Sequence, residues 1–95
     1  MRVPKRLSSE SITVSSTAIP LTTIPGVADS AEISIEADTI RFWKDGSTPT
    51  ASVGHRAYVD DVIPLYTKSE LRDFLAIRVT TDATLRVTYY IGYNR

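Results

Sequence analysis

Alternation of apolar and polar positions marks the strands of this chain. Ala31, Ile33, Ile35 and Ala37 fall on one face of an extended segment and Glu32, Ser34 and Glu36 on the other, the period-2 pattern of a half-buried strand. Asp38 follows as a turn residue. Residues 39–44 predict the next strand, with Ile40 and Phe42 inward and Arg41 and Trp43 outward. Paired as a hairpin, these two strands would set Glu32 or Glu36 across from Arg41 on the solvated face. Near the end of the chain, residues 74–80 place Leu75, Ile77 and Val79 on one face, with Ala76 and Arg78 on the other. Residues 85–91 place Leu85, Val87, Tyr89 and Ile91 inward, with Arg86, Thr88 and Tyr90 outward. Thr81, Asp82 and Ala83 form a link short enough for an antiparallel hairpin between them.

The weaker segments are read from their breakers. Ile12, Thr13 and Val14 alternate as a short strand, and residues 19–24 form a second extended piece that Pro20 confines to a sheet edge, because proline cannot donate to a ladder. Residues 55–59 predict a brief strand, Asp60 and Asp61 a turn, and residues 62–67 another strand, with Pro64 again pointing to an edge. Residues 69–73 are the one helical candidate, a single turn with Ser69 as N-cap and Glu70 in its first turn. Between Lys44 and His55, Gly46, Pro49, Gly54 and the hydroxyls of Ser47, Thr48, Thr50 and Ser52 mark a long loop or a short irregular hairpin. About seven strands with no βαβ alternation predict an all-β antiparallel sandwich, jelly-roll or Ig-like.

Composition narrows the picture. At 95 residues the chain supports one core, set as a single domain over 12–95. Residues 1–11 are polar and basic, and are expected to form an extended arm whose removal, through residue 9, leaves a folded domain but weakens assembly. Eleven basic residues against eleven acidic ones give no bulk electrostatic argument for nucleic acid or an anionic membrane. The absence of cysteine excludes disulfides, thiolate metal sites and cysteine nucleophiles. No apolar run is long enough to span a bilayer and no signal-peptide core follows the basic start, so synthesis in a cytoplasm is expected.

Candidate chemistry is sparse. His55 is the only imidazole, so a Ser–His mechanism or a transition-metal site would rest on it alone. Asp60 and Asp61, adjacent in sequence, point apart in extended chain; they read as a solvated turn, with a calcium site as the alternative. No phosphate-binding glycine motif occurs. No catalytic, metal or cofactor site is therefore assigned. Trp43, followed by Lys44 and accompanied by Tyr58, Tyr66, Tyr90 and Tyr93, is open to three readings: sheet packing, a partner interface, or a stacking platform for carbohydrate or nucleic acid.

One stretch is more specific. Residues 40–55, IRFWKDGSTPTASVGH, with Asp60-Asp61, then 70–78 (ELRDFLAIR) and 85–90 (LRVTYY), resemble a group of small tailed-phage virion proteins. These share an I-R-[FY]-x-x-D-G-[ST]-x-P-[ST]-[AS]-x-x-G-H core, a later F-x-A-I-R strand and a closing L-x-V-T-Y strand. The resemblance covers about residues 10–92 and leaves the basic start outside it. It implies a non-enzymatic virion protein, a capsid decoration or cement subunit, with neck, tail or fibre-base placement as the alternative. The partners it implies are the major capsid protein or other virion proteins, and further copies of the chain, with a trimer favoured. Arg2, Lys5, Arg6, Trp43, Lys44, Asp45, His55 and Tyr90 are the expected contact residues.

Overall fold

A computed structural model describes residues 5–92. Among these residues, eight strands and one helix run in the order β1 (Lys5–Val14), β2 (Ile19–Pro20), β3 (Ser30–Glu36), β4 (Ile40–Trp43), β5 (His55–Ala57), β6 (Val62–Leu65), α1 (Lys68–Asp73), β7 (Leu75–Arg78) and β8 (Ala83–Ile91). They form two four-stranded sheets, β1-β8-β3-β6 and β2-β7-β4-β5, in which every neighbouring pair is antiparallel. The pairs β1·β8, β2·β7, β3·β6 and β4·β5 are the rungs of one long hairpin, folded over so that its rungs fall alternately in the two sheets. That arrangement is the double Greek key of a jelly roll.

The core lies between the sheets, where alternation put it. Ile33, Ile35, Leu85, Val87 and Tyr89 of one sheet face Ile40, Phe42 and Ala76 of the other, all buried. Leu71 of α1 and Phe74 just after it complete the core, and α1 packs against β3. Pro20 and Pro64 lie on edge strands, as their missing amides require.

Several expectations are corrected. Residues 5–11 of the expected arm belong to β1, which pairs with β8 from Lys5↔Ile91 to Val14↔Ala83 with a bulge between Arg6 and Ser8. The strands on either side of Asp38 do not form a hairpin, nor do those joined by residues 79–82; each link carries the chain from one sheet to the other. Ala37, in a left-handed conformation (φ 77°), makes the first of these bends. Asp38 ties the two crossovers together: its carboxylate accepts from the Thr39 amide (2.7 Å) and from both the amide and the hydroxyl of Thr81. With different neighbours, Arg41 meets neither Glu32 nor Glu36; Glu36 pairs with Arg86, and Glu32 accepts from the Tyr90 hydroxyl. In β7 the core side is carried by Ala76, in line with Phe74, while Leu75 and Ile77 lie half-buried on the outer face. The helix is capped by Thr67 in place of Ser69: its hydroxyl accepts from the Glu70 amide, and the Glu70 carboxylate accepts from the Tyr66 amide.

Candidate functional site

The stretch 40–56 builds a cleft. β4 turns Phe42 inward and Trp43 outward, and β5 returns antiparallel beside it with His55 opposite Phe42. The imidazole sits against both rings, 5.5 Å from Phe42 and 5.0 Å, edge-on, from Trp43. Phe42 also stacks on Phe74 at 5.7 Å, which anchors the cluster in the core. Phe42, Trp43, Lys44, Asp45 and His55 line an open concavity of about 440 Å³.

The loop between the strands is held in shape by the residue types of its sequence motif. Asp45 accepts from the Ser47 amide at 3.0 Å, an Asx turn, and Gly46 takes φ 88°. The Ser47 amide holds the Asp45 carboxyl below its ordinary value, with the Ser47 hydroxyl assisting and the nearby His55 adding a smaller pull. Pro49 is fully buried. Thr50 and Val53 exchange backbone hydrogen bonds (2.9 and 3.3 Å), and the Thr50 hydroxyl accepts from the Ser52 and Val53 amides. Arg41 then clamps the end of the loop, donating to the Ala51 carbonyl (3.0 Å) and the Gly54 carbonyl (2.9 Å). Gly54 has φ 132°, and a Cβ there would stand 3.3 Å from the Phe42 oxygen and from the Pro49 side chain. Only glycine satisfies both conditions.

Of the expected contact residues, Trp43, Lys44, Asp45 and His55 are brought together here. Lys44 has a structural task as well: its ammonium donates to the Pro64 carbonyl at 2.8 Å, bridging to the other sheet. Lys5, Arg6 and Tyr90 belong to that other sheet, where Arg6 pairs with Tyr90 across β1 and β8. Burial, and secondly the hydrogen bond to Glu32, push the Tyr90 phenol up, while Arg6 opposes this. Arg2 and Tyr93 lie outside the described residues. Sequence reasoning missed Arg41 and Gly54 as builders of the cleft; the signal was present in their places flanking the turn-rich segment.

A second polar cluster was not expected. Glu10, on the inward side of β1, accepts from the Tyr89 hydroxyl, the Thr22 hydroxyl and the Thr23 amide, latching β1 to the segment after β2. Partial burial raises the Glu10 carboxyl, but the bonds from Thr22 and Tyr89 outweigh it and leave it below its ordinary value. Burial first, and Glu10 second, push the Tyr89 phenol far up. Among the described residues no group of three or more His, Cys, Asp or Glu is placed to hold a metal ion. Among the described residues, no helix is long and apolar enough to cross a membrane.

Comparison with protein-family models, with curated proteins and with solved structures returned no match.

Proposed function

We propose that this chain is a non-enzymatic structural protein of a bacteriophage virion, a decoration or cement subunit that binds the assembled capsid shell. The observation carrying this reading is the clamped loop at 45–55. Its residue types resemble those of small virion proteins, and in the structure they serve to fix backbone shape. A preformed loop beside Trp43 and His55 loses little conformational entropy on docking, which favours a protein contact. His55 packs against rings, and among the described residues its side chain makes no hydrogen bond to a hydroxyl that it could activate. Jelly rolls occur widely in viral capsids and also in lectins and cupins, so the fold supports the reading by analogy alone.

On this reading the partners are the major capsid protein and further copies of the chain, and the virion is its location. A subunit that binds the lattice in preference to the free state stabilises the shell by mass action. Purified particles of the encoding phage should contain the chain in many stoichiometric copies, and particles stripped of it should lose resistance to heat; a virion proteome without it overturns the proposal. A position at the neck, tail or fibre base would appear as a low copy number.

A second reading is favoured by the cleft itself: an aromatic floor with Lys44, Asp45 and His55 at its rim is suited to stacking on a sugar. Binding on a glycan array that disappears in Trp43→Ala with the fold retained would select this reading over the first.

A further inference from the structure

The four outer edges of the two sheets are not equivalent. β2 is two residues long and contains Pro20; β5 is three residues long. β6 carries Pro64, and Lys44 covers its carbonyl. Short length, proline and a covering lysine are the devices by which sheets avoid pairing with other chains. β1 is ten residues long, contains neither proline nor any lysine beyond its first position, and pairs with β8 in unbroken register from Ser8 to Val14 past its bulge. Alternate residues of an edge strand turn both their N–H and C=O groups away from the sheet. Among the described residues, no other segment bonds to the backbone of residues 5–14; the ladder with β8 is its only pairing.

We propose that β1 pairs edge to edge with β1 of a second copy of this chain, antiparallel about a two-fold axis, joining two four-stranded sheets into one of eight strands. The side chains permit it. Ser9, Ser11 and Thr13 are small and polar on the outer face, and Glu10, the only acid on the strand, is turned inward by Tyr89, Thr22 and Thr23. Lys5 and Arg6 sit at one end, so antiparallel pairing separates them from their copies, whereas parallel pairing would stack like charges. A ring of three joined by strand addition would require β1 to meet a different edge, and each other edge is short or guarded. The contact is therefore isologous and closes as a dimer, in place of the trimer expected from sequence. It does not depend on the virion reading.

One strand pair is a small interface, so the dimer should be concentration-dependent. Light scattering on the full chain at rising concentration should show a doubling of the 10.5 kDa monomer mass. The double variant Ser9→Lys, Thr13→Lys places a lysine opposite a lysine when the pairing centres near Ser11, and it should stay monomeric while melting cooperatively. Amide hydrogen exchange on the unaltered chain gives an independent readout. At high concentration every amide across residues 8–14 should be protected, and on dilution alternate ones should exchange faster. A chain that is monomeric at all concentrations, a threefold mass, a dimer indifferent to the two lysines in a folded variant, or an alternating exchange pattern that dilution leaves unchanged would each overturn the proposal.

Discussion

At the scale of single residues, two positions carry more of the structure than their type announces. Gly54 holds a positive φ with no space for a side chain, so Gly54→Ala combines backbone strain with displacement of Pro49 or the Phe42 carbonyl. It should cost about 1–3 kcal/mol, read by chemical denaturation, with the Arg41 clamp loosened. The Glu10–Tyr89 latch is the second. A carboxyl whose folded pKa lies below the ordinary 4.5 contributes stability that is fully present above 4.5 and is lost as pH falls through the lowered folded value. Tyr89→Phe removes one of the bonds that lower it, so the variant should be less stable at neutral pH by about 1 kcal/mol. The difference from the parent should shrink on acidification. Melting temperatures at pH 7 and pH 3 check both halves, and an equal loss at the two pH values would show that the hydroxyl contributes independently of the charge on Glu10.

At the scale of elements, the helix tests local chemistry. Thr67→Ala removes the cap that accepts from the Glu70 amide and should lower stability by about 0.5–2 kcal/mol, measured by thermal melting, while Ser69→Ala should change little. Both hydroxyls stand at the start of the helix, Thr67 just before it and Ser69 within its first turn, so the sequence alone does not separate the cap from its neighbour. Strands whose sequence alternates were legible: β3, β4 and β8 show the alternation, and Pro20 and Pro64 marked edges. β1 was only partly legible. An edge strand buries little, and its inward side includes the polar Glu10, so its first half looks like solvated chain. The face of β7 was unreadable because Leu75 and Ile77 outrank Ala76 in hydrophobicity, yet Ala76 is the one that fits under the other sheet. The cleft followed the same rule: Trp43, Asp45 and His55 were visible as types, but their meeting depended on the β4·β5 register and on Arg41, whose partners are backbone carbonyls that no sequence pattern names.

At the scale of the molecule, the short links at 37–39 and 79–82 decide the architecture, because each switches sheets where a hairpin would have kept to one. The consequence is that nearly every ladder joins distant segments, and the outermost rung, Lys5↔Ile91, joins the two ends of the described chain. Such non-local pairing predicts slow folding, in the millisecond-to-second range, limited by closure of the long hairpin. It also changes what removal of the first nine residues should do. Sequence reasoning placed them in an arm needed for assembly and not for folding, but Lys5, Arg6, Ser8 and Ser9 are partners of Ile91, Tyr90, Tyr89 and Thr88, and Leu7 packs against the core. Glu10 would remain, yet with the strand ahead of it gone the latch to Tyr89 would sit at a frayed end. Truncation after residue 9 should therefore lower stability by about 2–3 kcal/mol and lower the melting temperature, with a single cooperative transition retained because the other rungs are intact. Unfolding should speed up more than folding slows if the end rung forms late, after the inner rungs have closed. Stopped-flow kinetics of the truncated chain distinguish this from early pairing of the ends, in which the folding rate itself would fall by the larger factor.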